Sequence, residues 1–141
     1  MLYLASDHAG FELKEGLKNF LTEQKIEFED LGCDSAESCD YPDFGHALAE
    51  KVLANPESRG VGICGTGLGI SMALNRHVGI RAARCMSVED AELARRHNDA
   101  NVLVLSGRQT TPELATAMLA KFLATDFEGG RHEGRIKKIE I

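Results

Sequence analysis

A glycine-rich stretch that begins with a cysteine is the part of the sequence best suited to chemistry. It reads C-G-T-G-L-G-I-S from Cys64 to Ser71, after an apolar run that contains Val61 and Ile63. Its alternate glycines allow positive φ and leave no Cβ to block a ligand, so successive N–H groups can converge on one anion. The pattern predicts a strand, a loop and a helix whose positive end faces the same point. A base or nucleophile beside an oxyanion site is therefore expected from Cys64, Gly65, Thr66, Gly67, Leu68 and Gly69.

Glycine-rich loops after a strand are also typical of many nucleotide-binding proteins. The Walker pattern requires a Lys-Ser/Thr pair that is absent, and the dinucleotide pattern requires glycine where Ile70 stands. A cysteine phosphatase would need arginine at that same position. Isolated cysteines are usually inert small hydrophobic residues, and we interpret Cys33, Cys39 and Cys85 in this way. The glycine loop is what favours chemistry at Cys64.

Three further segments carry residue types that bind or catalyse. They are Asp7 and His8 after the first apolar run, His97 and Asn98 at the end of a predicted helix, and Arg131 and Arg135 in a basic tail. Each type also has a purely structural interpretation. An aspartate can cap a helix, a histidine can complement the helix dipole, an asparagine can form a left-handed C-cap, and terminal arginines are often solvated. His46 and His77 have no polar residues at useful spacing, and we interpret them as structural.

Composition limits the classes of protein to which the chain can belong. Its 141 residues, 43% hydrophobic and 27% charged, predict one globular domain over residues 1–141. The net charge of −6 disfavours nucleic acid or an anionic membrane as partner, but not a phosphorylated small molecule. No apolar run is long enough for a membrane span, and the first residues lack the basic flank of a signal peptide, so we expect a cytoplasmic protein. The four cysteines lack zinc-type spacing, so neither disulfides nor metal are expected.

Apolar periodicity predicts five strands that alternate with helices. Strands are expected at residues 2–5, 26–31, 61–64, 80–85 and 101–105, with helices over 11–24, after Asp40, from Leu68, after Ser87 and after Thr111. Asp40, Ser87 and Thr111 are the predicted N-cap residues of three of these helices. Residues 126–141 form a basic C-terminal segment, the obvious place for contacts with an anion.

This alternation is typical of a three-layer, Rossmann-like α/β fold, a parallel sheet with helices on both faces. Right-handed crossovers leave few topologies, and we predict the flavodoxin-like strand order 2-1-3-4-5. In such sheets ligands bind beyond the carboxyl ends of the first and third strands. The fold should therefore bring Asp7 and His8 beside Cys64, and we expect the other candidate residues to gather at the same edge.

Six segments of the sequence occur together in one known family. They are D-H-A-G-F-E-L-K from Asp7, D-Y-P from Asp40, C-G-T-G-L-G-I-S from Cys64, G-I-R-A from Gly79, R-H-N-D-A-N-V-L from Arg96 and E-G-G-R-H-E-G-R from Glu128. In these segments, which run in family order over nearly the whole chain, the sequence resembles the ribose-5-phosphate isomerase type B family. That family also includes the galactose-6-phosphate isomerase subunits.

The resemblance implies an aldose-ketose isomerase of pentose phosphate metabolism. Such an enzyme interconverts ribose 5-phosphate and ribulose 5-phosphate through a cis-enediolate, without a metal or an organic cofactor. It also implies a homodimer, or a dimer of dimers, whose subunits share each active site. By this resemblance Cys64 is the base that moves a proton between C1 and C2, and Thr66 assists at the neighbouring oxygen.

The remaining implied roles concern the sugar ring and the phosphate. Asp7 and His97 resemble the pair that opens the furanose ring, with His97 and Asn98 supplied by the partner subunit. The implied phosphate ligands are His8, Arg131 and Arg135 together with Arg108 of the partner subunit, and Tyr41 lines the pocket.

Two features refine the resemblance, and two alternatives stay open. One branch of the family uses a glutamate where this chain has Ile70, so Cys64 and Ile70 are similar to the cysteine branch. The pair Ser106-Gly107 before Arg108 departs from a pattern in which glycine often comes first. The alternatives are an isomerase of a six-carbon sugar phosphate, such as allose 6-phosphate or galactose 6-phosphate, and a non-catalytic nucleotide- or anion-binding module on the same fold.

Overall fold

A five-stranded parallel sheet lies at the centre of the computed structural model, which describes residues 1–141. The strands are β1 (Leu2–Ser6), β2 (Phe28–Asp30), β3 (Arg59–Cys64), β4 (Ala82–Arg84) and β5 (Val102–Ser106). The helices are α1 (Phe11–Glu23), α2 (Tyr41–Ala54), α3 (Leu68–Asn75), α4 (Val88–Asn98), α5 (Pro112–Ala124) and α6 (Arg131–Lys137), and a short 3₁₀ turn over His8–Gly10 precedes α1. The predicted three-layer α/β fold is confirmed.

Two apolar cores, one on each face of the sheet, hold the helices in place. Along β1, Leu2 and Leu4 face one core while Tyr3 and Ala5 face the other, as the two-residue period of a strand requires. The first core contains side chains from α1, α4 and α5, and the second contains side chains from α2 and α3. A sheet buried on both faces explains why its central strands are almost continuously apolar.

The order of the last two strands differs from the prediction. The observed order is β2-β1-β3-β5-β4, so β5 lies inside the sheet and β4 lies at its edge. Pairing of Cys64 with Ser106 and of Ala82 with Val102 fixes this register. Burial gives the reason, because β5 is buried along its whole length whereas the three residues of β4 are only half-buried. The two edge strands are also shorter than predicted.

Side-chain caps begin two of the helices as expected. The hydroxyl of Ser87 accepts a hydrogen bond from the Asp90 N–H at 3.1 Å, and that of Thr111 accepts from the Leu114 N–H at 3.2 Å. Asp40 occupies the N-cap position of α2, but its side chain makes no capping bond. The predicted capping role of the Asp40 carboxylate is therefore wrong.

Chain direction gives the sheet two distinct edges. Because a helix between parallel strands runs antiparallel to them, α4 and α5 begin at the carboxyl edge and end at the amino edge. The guanidinium of Arg81, just before β4, donates from Nε to the carbonyl of Asn98 at 3.0 Å, which confirms where α4 ends. The terminal segment, predicted only as a basic tail, forms α6 and packs against α4. The two edges lie about 13 Å apart along the five-residue strand β5.

Candidate functional site

Three loops meet at the carboxyl edge of the sheet, where β1, β3 and β5 end. The Asp7 N–H donates to the carbonyl of Ile63 at 3.1 Å, and the Gly107 N–H donates to the carbonyl of Cys64 at 2.8 Å. The Arg108 N–H donates to the carbonyl of Gly65 at 3.0 Å. These backbone bonds place the predicted segments Asp7-His8 and Cys64-Gly65 side by side, and they add the segment that carries Arg108.

Glycines allow these loops to approach each other closely. A Cβ on Gly10 would lie 2.6 Å from Cγ2 of Ile63, and one on Gly107 would overlap the carbonyl oxygen of Ala9. The second obstacle is backbone, which cannot move aside as a side chain can. The turn after β1 therefore fits against both β3 and the turn after β5.

Cys64 is the last residue of β3 and is only 4% exposed. Its neighbours belong to the core formed with α2 and α3, including Ala5 and Ile70. The thiol thus lies at the bottom of the glycine loop in largely apolar surroundings. Thr66, two residues after Cys64, is half-buried, and its hydroxyl accepts a hydrogen bond from the Leu68 N–H at 3.2 Å.

The three glycines of the loop serve three different purposes. Gly67 is the N-cap of α3 and has φ of +80°, a conformation that glycine adopts without strain. A Cβ on Gly65 would lie 3.1 Å from the guanidinium carbon of Arg108, and one on Gly69 would collide with the ring of Tyr41. Arg108 and Tyr41 therefore lie against the loop of their own chain.

Asp7 and His8 are held by backbone groups in the turn that follows β1. The Asp7 carboxylate accepts through Oδ1 from the N–H groups of Ala9 and Gly10, at 2.9 and 3.1 Å. Asp7 is thus the cap that its structural interpretation described, and Oδ2 remains without a partner in the chain. His8 Nδ1 lies 3.2 Å from both the N–H and the carbonyl oxygen of Cys39; in the tautomer that accepts from the N–H, the ring proton is on Nε2.

The other predicted residues lie at the amino edge of the same chain. His97 and Asn98 form the last turn of α4, and Arg131 and Arg135 are exposed on α6, which packs on that helix. The expectation that all candidates gather at one edge is therefore wrong for a single chain. The arginines of α6 group with His97, and Arg108 groups with Cys64, because α5 returns the chain to the amino edge before α6 begins.

A cluster of His97, Glu128 and His132 occupies this second group. The rings of His97 and His132 stack with centroids 4.3 Å apart and planes inclined by 14°. Glu128 lies 3.9 Å from Nε2 of His97 and 3.8 Å from Nε2 of His132. Burial lowers the pKa of His132, and the nearby positive charge of Arg131 lowers it further.

Sequence reasoning did not single out two residues that fasten the loops together. Ser106 is fully buried, donates to the carbonyl of Gly65 at 2.7 Å and accepts from the Gln109 N–H at 3.1 Å. Arg84 donates from Nε to the carbonyl of Thr66 at 2.8 Å. The sequence did contain a signal for Ser106, since the pair Ser106-Gly107 departs from the family pattern. A buried serine at the end of a strand must find hydrogen-bond partners.

Cys85 and Cys39 have surroundings that favour the neutral thiol. Burial raises the pKa of Cys85 to about 12. Burial, assisted by a hydrogen bond with Cys33, raises the pKa of Cys39 to about 11. Both values agree with the interpretation of these cysteines as inert.

Apolar side chains remain exposed on and beyond α3. Leu68, Met72 and Val78 are among the exposed large hydrophobic residues. A cavity of about 510 Å³ lies nearby at the amino edge, where its lining includes Val78, Asn98 and Ile139. None of the helices is both long and apolar enough to span a membrane.

Comparison with known proteins yields matches along the whole chain. The sequence model of the family described as Ribose/Galactose Isomerase matches residues 2–139. A probable ribose-5-phosphate isomerase B of Mycoplasma pneumoniae is 47% identical over 98% of this chain and 91% of that protein.

Solved structures of similar proteins share the fold of this chain. A ribose 5-phosphate isomerase of Thermotoga maritima superposes with a TM-score of 0.96 at 52% identity, covering 99% of this chain and 96% of the other. A ribose-5-phosphate isomerase B of Mycoplasma genitalium with bound ribulose-5-phosphate gives a TM-score of 0.94 at 42% identity, covering 98% and 92%. With a family match that covers residues 2–139, this chain belongs to the ribose/galactose isomerase family.

Proposed function

We propose that this protein interconverts ribose 5-phosphate and ribulose 5-phosphate through a cis-enediolate. The observation that carries the proposal is the meeting of Cys64, the glycine loop and Arg108 at one edge of the sheet. The relatives named ribose-5-phosphate isomerase B, which cover nearly all of the chain, support the choice of substrate.

In the proposed reaction Cys64 is the base that transfers a proton between C1 and C2. Its position directly before the loop brings it close to the N–H groups that would hold the enediolate oxygen. One oxyanion donor typically lowers a reaction barrier by about 3 to 4 kcal/mol, and a positioned base contributes about 10²- to 10⁴-fold. The Thr66 hydroxyl is the proposed assisting group at the neighbouring oxygen. The low exposure of Cys64 supports this role because it keeps water away from the carbanion.

Ring opening requires an acid and a base at the furanose oxygen and the anomeric hydroxyl. We assign this pair to Asp7 and His97. Two backbone hydrogen bonds fix Oδ1 of Asp7, which leaves Oδ2 oriented and available. His97 lies at the opposite edge of the chain, so it must come from a second copy together with Asn98.

The phosphate group is assigned to four cationic or donor side chains. In the tautomer in which Nδ1 accepts from Cys39, His8 can donate from Nε2, and Arg108 lies beside the glycine loop of the same chain. Arg131 and Arg135 are carried by α6 beside His97, so the second copy would supply both. Forked hydrogen bonds from arginine would fix the sugar's position relative to the thiol. Tyr41, packed against Gly69, would line the pocket.

A homodimer, alone or paired into a dimer of dimers, is part of this proposal. The exposed apolar residues Leu68 and Met72 on α3, next to the glycine loop, support it. Association through this face would cover apolar surface and bring the amino edge of one copy to the carboxyl edge of the other. In this arrangement the segment 126–141 contributes the proposed phosphate ligands Arg131 and Arg135. It also forms part of the contact between the two copies.

A panel of sugar phosphates assayed by ketose formation tests the proposal. We expect the highest kcat/KM with ribose 5-phosphate. A preference for allose 6-phosphate or galactose 6-phosphate would indicate a six-carbon isomerase, as the family description allows. Binding of a nucleotide without conversion of any aldose would contradict an isomerase function altogether.

A further inference from the structure

We propose that His97, Glu128 and His132 form a binding site for a divalent transition metal such as Zn²⁺, which inhibits the enzyme by taking His97 away from ring opening. One ligand atom from each residue, two imidazole nitrogens and a carboxylate oxygen, lies within 4.8 Å of the others. The inhibitory part of this inference rests on the proposed role of His97.

His132 supplies the observation that points to a ligand. The residue is only 6% exposed, and its Nε2 atom is buried with no hydrogen-bond partner. Nε2 lies 3.8 Å from Oε1 of Glu128, too far for a hydrogen bond. A buried imidazole nitrogen without a hydrogen-bond partner, beside a carboxylate, is an arrangement that a metal ion can satisfy.

The three ligand atoms must move closer together to accommodate zinc. Ligand atoms at 2.0 to 2.2 Å from one tetrahedral Zn²⁺ lie about 3.4 Å apart. Oε1 of Glu128 lies 3.8 Å from Nε2 of His132, its Oε2 lies 3.9 Å from Nε2 of His97, and one ligand atom from each residue lies within 4.8 Å of the others. His97 and Glu128 are each 37% exposed at their side chains and can close on the buried His132. In doing so His97 must rotate out of its stack.

The surroundings select the type of cation. Arg96 donates from Nη2 to Oε2 of Glu128 at 3.3 Å, and Arg131 and Arg135 lie on the same helix as His132. This positive charge disfavours Mg²⁺ and Ca²⁺, which are bound mainly by oxygen atoms and charge. Zn²⁺ and its neighbours bind imidazole nitrogen well, so the two histidines favour them over Mg²⁺ and Ca²⁺.

Calorimetric titration with Zn²⁺, together with the visible absorption of bound Co²⁺, tests the site directly. Wild-type protein should bind one ion per chain. Glu128→Gln and His132→Ala should weaken binding by at least about tenfold, the scale on which even outer-shell partners alter metal affinity. Glu128 is exposed, so Glu128→Gln keeps the test valid if His132→Ala does not fold. His46→Asn, which removes an exposed imidazole from the His46–His77 pair, is the matched control and should bind normally.

Activity measurements then separate the metal site from the role of His97. Zn²⁺ should inhibit turnover of ribose 5-phosphate more strongly than turnover of a four-carbon aldose phosphate, which cannot close a furanose ring. Metal binding that is absent, or that survives both variants because it occurs at Cys64, overturns the proposed site. Binding lost in both variants, with equal inhibition on the two substrates, supports the site and instead contradicts the ring-opening role of His97.

Discussion

Cys64 combines near-complete burial with a position at the end of a strand. A cysteine inside a core is usually inert, and Cys85, at 1% exposure, is an example within the same chain. Cys64 differs because the next residues form the glycine loop and because Arg108 lies against Gly65. Its proposed chemistry therefore depends on the loop and not on exposure of the sulfur.

Replacement of Cys64 by alanine should lower kcat by about 10²- to 10⁴-fold, the usual contribution of a general base. Substrate affinity should change little, because the proposed phosphate ligands remain. Steady-state kinetics and a binding titration measure the two effects separately. Cys85→Ala makes the same chemical change at another buried thiol and should keep its activity. Near-normal turnover of Cys64→Ala with unchanged binding would show that another group is the base.

Lys14 and Asp30 form a buried ion pair that makes stability depend on pH. Lys14 is fully buried and donates from Nζ to Asp30 and to the Cys33 carbonyl, both at 2.6 Å. Burial opposes ionisation of Asp30, but hydrogen bonds from Lys14 and Lys18 outweigh it and lower the pKa of Asp30 below its ordinary value of 3.8. The folded state therefore favours the ionised carboxylate.

Stability from this pair should be present above pH 3.8 and lost as the pH falls through the lower folded pKa. In that window the unfolded chain binds the proton first, so acid favours unfolding. Asp30→Asn leaves Lys14 buried without its counter-ion and should cost about 3 kcal/mol at neutral pH. Urea denaturation at a series of pH values measures both effects. An identical acid dependence in wild type and Asp30→Asn would exclude Asp30 as its source.

Residue types and spacing predicted some, but not all, of the side chains that meet at the carboxyl edge. Asp7 and His8 directly follow β1 and Cys64 ends β3, so the parallel sheet brings these segments together. Nothing in the residue pattern around Arg108 distinguished a contact with its own glycine loop from a contact with a partner's loop. That choice depends on the turn after β5, which Ser106 and Gly107 shape.

Among the elements, the turn between β5 and α5 connects the arginine to the loop that holds the thiol. The Ser106 hydroxyl donates to the Gly65 carbonyl and accepts from the Gln109 N–H, so it bridges the two segments. The strand supplies the rigidity, since Ser106 pairs with Cys64 in the sheet register.

Ser106→Ala should lower the free energy of unfolding by about 1 to 3 kcal/mol, the cost of leaving buried polar groups without a partner. It should also raise KM, because the turn that carries Arg108 loses its attachment to the loop. Ser58→Ala is a matched control, since the Ser58 hydroxyl bonds the carbonyls of Val52 and Asn55 away from the site. This control should lose stability without a change in KM. An unchanged KM in Ser106→Ala would mean that the turn is held by backbone bonds alone.

Apolar periodicity predicted the types of the elements, but it predicted their bounds and their order in the sheet less well. The edge strands β2 and β4 came out shorter than predicted because each pairs on one side only. The inner place of β5 could have been inferred from the four consecutive apolar residues at 102–105, which are typical of a strand buried on both faces. Helix α6 was missed because its seven residues include few apolar ones, and it depends on packing against α4.

At the scale of the whole molecule, the candidate residues fall into two groups on opposite edges of the sheet. Asp7, Cys64 and Arg108 lie at the carboxyl edge, whereas His97 and the arginines of α6 lie at the amino edge. This separation could have been predicted from the direction of the crossover helices, since each returns the chain to the amino edge. Only the family resemblance suggested that a second copy supplies His97.

Pairs of inactive variants should complement each other according to these groups. Cys64→Ala mixed with His97→Ala should recover roughly a quarter of wild-type activity, because random exchange makes half the dimers mixed and each mixed dimer has one intact site. Cys64→Ala with Arg131→Ala should recover activity in the same way. His97→Ala with Arg131→Ala should not, because both changes then affect residues supplied from the same copy. Recovery in this last pair, with mixed dimers verified by mass spectrometry, would refute the assignment of α6 to the partner.

In the proposed dimer, the separation of the two edges also ties catalysis to protein concentration. One chain then holds the proposed base at one edge and the proposed ring-opening histidine at the other, about 13 Å away along the strand. Folding can be complete in a monomer that has no working site. Specific activity should consequently fall on dilution through the dimer's dissociation constant while the circular dichroism spectrum stays unchanged.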